Sequence, residues 1–134
     1  MHQDIEASIK EVVKLHPEIV AAYLYGSYTK GTQTKASDVD IALLLDEPFT
    51  QNALYPFTIA GEIDKLIKKT SDVRILNGAS PVYLNQVFKY GKLVYCSDEK
   101  KRLNFDVQAM RAYLDIKPIH IEYNRIRRLR LHVE

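Results

Sequence analysis

The chain has 134 residues, 46% of them hydrophobic and 27% charged, with a formal charge of +2. That size and balance fit a single globular domain spanning 1–134 with a proper core, and they exclude a molecule that is a strong polyanion binder as a whole. One cysteine, Cys96, excludes an internal disulfide framework and reads as a small buried apolar residue in a reducing, cytoplasmic setting. The polar start of the chain carries no targeting signal, and no apolar run approaches the roughly 18 residues of a membrane span.

Ile5, Ile9, Val12 and Val13 recur at helical spacing and predict a first helix over 3–15, ended by His16-Pro17. Ile19 to Tyr25 is a run of strand formers closed by Gly26, and Val39 to Leu45 is a second. Both runs are apolar enough to be buried on two faces of a sheet covered by helices. A helix follows over 52–69 on Ile59, Ile63, Leu66 and Ile67, with Lys65, Lys68 and Lys69 suited to its C-terminal dipole.

Asp72-Val73-Arg74-Ile75-Leu76 predicts a third strand. Ser80-Pro81 supplies a cap and first-turn proline for a helix with Leu84, Val87 and Phe88 as its stripe, and Gly91 stands at its C-terminal cap. Leu93-Val94-Tyr95 is a short fourth strand. Ser97-Asp98-Glu99 opens a last helix with the stripe Leu103, Val107, Met110 and Leu114. Pro118 is expected to break or kink it, leaving a basic helical tail from about 117. Arg125, Arg127, Arg128 and Arg130 crowd that tail, either as a solvated face or as a site for an acidic partner. Strands alternating with helices imply an α/β layered domain.

The chemistry concentrates between Gly26 and Asp40. A strand ending in Gly26, then Ser27 able to cap a short helix, leaves backbone N–H groups open to an anion, and Lys30 one turn on adds positive charge. Many such turns are only caps. Asp38 and Asp40 stand two apart at the start of an apolar strand, so both carboxylates share a face and repel. A divalent cation converts that repulsion into coordination, and hard oxygen donors suit magnesium. The structural alternative has one carboxylate capping and the other paired with a lysine such as Lys35. Asp72, opening the next strand, can complete a two-metal site or serve as a plain turn residue. Arg74, on the same face, can pair with Asp72 or meet a triphosphate.

Rival motifs fail on particulars. Gly26 and Gly31 have P-loop spacing, yet Thr32-Gln33 replaces the required Lys-Ser/Thr. An EF-hand needs a glycine soon after Asp40, where Ile41-Ala42-Leu43 is apolar. The four histidines lack zinc spacing and read as surface or capping residues.

Gly26-Ser27, ten residues, then Asp38-Val39-Asp40 resembles the signature of the DNA polymerase β-like nucleotidyltransferases, whose palm-like fold is a mixed central sheet flanked by helices. Tyr23 to Tyr28, Ser37 to Ala42, Asp72 to Asn77, Gly91 to Tyr95 and Tyr113 to Pro118 resemble the minimal nucleotidyltransferase (MNT) antitoxins that accompany HEPN-domain toxins. The resemblance implies that Asp38 and Asp40 bind two Mg2+ ions and that Asp72 binds one and helps activate the attacking hydroxyl. Gly26 and Ser27 would hold the β- and γ-phosphates of ATP, beside Lys30 and Ser37. Arg74 and Ile75 depart from the family, which often carries an apolar residue and a second aspartate there.

The reaction implied is transfer of AMP from ATP to a tyrosine of the cognate HEPN RNase toxin, silencing it. The implied partner is that toxin, with no direct nucleic-acid role. Two alternatives remain from the residues alone: a small-molecule nucleotidyltransferase of the aminoglycoside-modifying type, and an antitoxin acting by occlusion through its basic tail, Tyr113 and Tyr123. Tyrosines of the chain itself, such as Tyr28, are further candidate acceptors.

Overall fold

The computed structural model describes residues 2–26 and 38–133. In chain order the elements are α1 (His2–Val13), β1 (Ile19–Tyr25), β2 (Val39–Leu45), α2 (Tyr55–Ile67), β3 (Ser71–Ile75), α3 (Pro81–Tyr90), β4 (Lys92–Cys96) and α4 (Glu99–Val133). The strands form one sheet in the order β3-β2-β1-β4. β1 runs antiparallel to both its neighbours, and β2 pairs parallel to β3.

Strand parity divides the core in two. Ala22, Leu24, Val39, Ile41, Leu43 and Val73 face α1 and α2, where Ile5, Ile9, Val13, Ile59 and Ile63 complete one cluster. Val20, Tyr23, Ala42 and Leu44 face the other way, against Leu84 and Val87 of α3 and Ala109 of α4. β1 and β2 are thus buried on both faces, as their unbroken apolar runs require.

Two contacts fix the β2–β3 register that later positions the site. Asp64 at the end of α2 accepts the Ser71 backbone N–H at 2.8 Å and its hydroxyl at 2.7 Å, anchoring the start of β3. Beyond β3, the Asn77 amide clasps Leu45, accepting its N–H and donating to its carbonyl, each at 2.8 Å.

Several elements differ from expectation. α2 starts at Tyr55 rather than 52, with Pro56 in its first turn, where a missing N–H costs nothing. Its C-cap is Lys68, left-handed at φ 57°. Gly91 does end α3, but in extended backbone; glycine is needed there because a Cβ would lie 2.4 Å from the Val87 carbonyl oxygen. His16 bridges Glu18 and Glu62 at 3.3 and 3.1 Å, tying the α1–β1 turn to α2. Cys96 is half-buried.

The largest correction concerns the last helix. α4 runs unbroken through Pro118 for 35 residues, a length of about 52 Å. Leu103, Val107, Met110 and Leu114, expected to be its core stripe, are 49%, 48%, 63% and 59% exposed. The helix instead turns Arg102, Phe105, Asp106 and Ala109 inward. Phe105 meets Phe88 edge-on at 6.1 Å, and the Arg102 guanidinium bonds Asp106 at 2.8 Å as well as Glu99. Aromatic packing and a charge-assisted bond outweigh the longer aliphatic stripe, since only that side of the helix reaches the surface left by β1 and α3.

Candidate active site

Asp40 has the parity of Ala42 and Leu44, so it belongs to the α3/α4 face, at the start of β2 where the apolar cluster runs out. Register sets its neighbours: Tyr25 of β1 lies opposite it on one side and Asp72 of β3 on the other. Directly opposed residues have Cβ atoms about 5 Å apart, so Tyr25, Asp40 and Asp72 form one row across three strands. Asp38, two residues before Asp40 and exposed, lies just ahead of β2. The three carboxylates named from sequence are therefore gathered at one end of the sheet.

Gly26 closes β1 beside them. Its φ of +81° is in the left-handed region, and a Cβ built on it would lie 2.3 Å from the Asp40 Oδ2. Glycine is required here twice over, by backbone conformation and by the approach of a carboxylate. Ser27, Lys30 and Ser37 lie outside the described residues, as do Tyr28 and Lys35.

Charge accumulates at the row. Burial, then the neighbouring Asp72 and Asp38 carboxylates, push the Asp40 carboxyl above the ordinary aspartate range, against the pull of Arg74. Arg74 sits with its Nε 3.4 Å from the Asp72 Oδ2, a pair whose side chains are 59% and 44% exposed. Its guanidinium also lies 5.9 Å from the centre of the Tyr83 ring. The Tyr83 hydroxyl shares a 2.8 Å hydrogen bond with that of Tyr25, the two rings meeting edge-on at 6.1 Å. Burial raises both phenols, so each stays protonated and acts as a hydrogen-bonding group. Of the two fates open to Arg74 from sequence, this structure shows the pair with Asp72.

Among the described residues no three His, Cys, Asp or Glu side chains already converge as a cation cage. The set still fits a divalent ion. It supplies hard oxygen donors, its central carboxylate is perturbed by two like charges, and Gly26 removes the side chain that would crowd it.

Tyr25 and Tyr83 were missed as members of the site. Tyr25 reads as the last residue of an apolar strand, and Tyr83 follows Asp72 by eleven residues on another element. Parity back from Gly26 was the only available signal for the first, and none existed for the second. A cavity of about 370 Å³ lies elsewhere, at the far end of β2 among Leu45, Asp46, Asn77, Lys101 and Phe105. At roughly 3.3 Å per residue it is some 17 Å along the strand from Asp40.

A mixed sheet carrying an Asp-x-Asp strand, a glycine pressed on its second carboxylate and a third aspartate on the adjoining parallel strand defines the nucleotidyltransferase class. The family described as Polymerase beta, Nucleotidyltransferase matches residues 7–100. Protein adenylyltransferase MntA of Shewanella oneidensis is 31% identical over 97 residues, 72% of this chain and 68% of that protein. A crystal structure of a toxin-antitoxin with AMP-PNP aligns at TM-score 0.73 and 26% identity, over 96% of this chain and 98% of that one. A Shewanella oneidensis tri-AMPylated HEPN toxin in complex with MNT antitoxin aligns at TM-score 0.69 over 100% of both chains; at 24% identity it bears on the fold alone. The chain belongs to the polymerase β nucleotidyltransferase family, and within it to the minimal branch represented by MntA.

Proposed function

We propose that this protein is an antitoxin that transfers AMP from ATP to a tyrosine of a cognate HEPN RNase toxin. The observation that carries the reading is the row of Asp40 and Asp72 with Asp38 beside it, on a chain related to a protein adenylyltransferase and to a toxin-antitoxin structure holding an ATP analogue. Consumption of ATP and a single unpaired thiol suit the cytoplasm.

Asp38, Asp40 and Asp72 would hold two Mg2+ ions. Bound there, magnesium supplies charge stabilisation to the attacking and leaving oxygens of an in-line displacement at phosphorus. The chain's own residues do the rest. By the family resemblance, Gly26 and Ser27 would hold the β- and γ-phosphates, with Lys30 and Ser37 contributing charge and a hydroxyl. Asp72, next to Asp40 in register, would accept the proton of the acceptor tyrosine as its oxygen attacks the α-phosphorus. Pyrophosphate departs toward the Gly26 turn. The acceptor's shape would come from the partner, for which the exposed apolar face of α4 is the proposed contact.

The test is mass spectrometry of the partner after incubation with this protein, ATP and magnesium. Gain of AMP on a tyrosine, abolished by Asp38→Asn with Asp40→Asn in a variant that still folds, is the expected result. A stable complex with no mass gain would establish occlusion instead, a reading favoured by the exposed apolar stripe of α4.

A further inference from the structure

Arg74 lies beside the carboxylate row, and its surroundings make it more than a stray surface cation. It has the parity of Asp72 on β3, it touches that carboxylate through Nε alone at 3.4 Å, and its guanidinium lies by the Tyr83 ring. Tyr83 is in turn tied to Tyr25, the residue opposite Asp40. A guanidinium with one long contact and a 59% exposed side chain keeps most of its five donors available. The aromatic face restricts where it can go, while the side chain stays open to solvent.

We propose that Arg74 is a two-position residue: the counter-ion of Asp72 while the site is empty of cations, and a polyphosphate-binding residue once Asp72 is neutralised. The inference rests on the nucleotidyltransferase reading of the carboxylate row, and it adds a nucleotide contact supplied by β3. Its physical basis is competition. One carboxylate cannot serve a guanidinium and a hard divalent cation equally, and the released guanidinium has a fork geometry matched to phosphate oxygens. Tyr83 and Tyr25 keep it close to the row during the exchange.

This arrangement gives a signature that a merely structural role lacks: truncating Arg74 should move two affinities in opposite directions. The 134-residue chain would be studied by calorimetric titration with Mn2+ alone, and separately with AMP-PNP at saturating Mn2+. Arg74→Ala is expected to bind Mn2+ about 2- to 5-fold more tightly, because an exposed competing ion pair is gone. The same variant is expected to bind AMP-PNP about 10-fold more weakly, the loss of a charge-assisted contact. Arg74→Lys should return Mn2+ affinity to the wild-type value while recovering only part of the nucleotide affinity, since a point charge replaces a fork.

Parallel weakening of both ligands, or no change in either, overturns the proposal. Neither titration contains an acceptor, so absence of AMP transfer to a partner leaves the inference standing. Failure of the wild-type chain to bind Mn2+, by contrast, removes the reading beneath it.

Discussion

Asp40 shows what the site costs the fold. Its carboxyl is raised by burial and by two neighbouring carboxylates, so at neutral pH an unfavourable charge is held in place. The unfolded chain titrates this group near about 3.9, the native protein higher. Between those values the native state binds more protons, so this group's contribution to stability falls as pH rises through that window and stays reduced above it. Asp40→Asn is therefore expected to raise Tm at pH 7 without metal and to flatten the decline in stability between acid and neutral pH. Urea unfolding across that range checks both, and an unchanged slope would contradict the shift. Adding magnesium should stabilise the wild type and leave the variant largely unaffected.

Gly26 is tied to Asp40 by close approach. Gly26→Ala forces a Cβ to within 2.3 Å of Asp40 at a φ of +81°. The backbone strain is about 1–2 kcal/mol, which thermal unfolding would register as a modest loss. Because the clashing atom ends a side chain, Asp40 yields and the carboxylate row is displaced. Activity is expected to drop by about 100-fold or more, well beyond the stability loss. A variant with lowered Tm and normal turnover would show that Asp40 can move without consequence.

Elements were legible where one face of each met a core at its own period. α1 and α3 bury the residues their spacing nominated, and β1 and β2 do so on both sides. α4 was not legible in this way, since its aliphatic stripe is longer than its packed one and points outward. Apolar side chains continue past Pro118, with Ile119, Ile121 and Tyr123 at 69%, 52% and 61% exposed, among the arginines of the tail. Such a face, on a helix whose core-packed residues Phe105 and Ala109 lie in its first three turns, suits contact with another protein. Cutting the chain after Pro118 is expected to leave Tm within about 3 °C of wild type. It should weaken partner binding at least about 10-fold by calorimetry and leave AMP-PNP binding intact. Equal complex formation by the shortened chain would remove the tail from the interface.

At the scale of the molecule, the sheet has two jobs separated along β2. Its start carries Asp38 and Asp40, and its end is clasped by Asn77 beside the cavity near Lys101, whose amine bonds Asp46 at 2.9 Å. The register set between those ends brings Asp72 level with Asp40. Among the described residues no helix is long and apolar enough to cross a membrane. By itself the sequence determined the α/β class and the order of strands and helices, and it nominated three carboxylates as a candidate site, because hydrophobic period and residue chemistry are local properties of the chain. The strand order β3-β2-β1-β4, the Tyr25–Asp40–Asp72 row, the Tyr83–Arg74 contact and the outward face of α4 were decided only by tertiary structure. Each depends on which distant segment pairs with which, and no spacing along the chain encodes that choice.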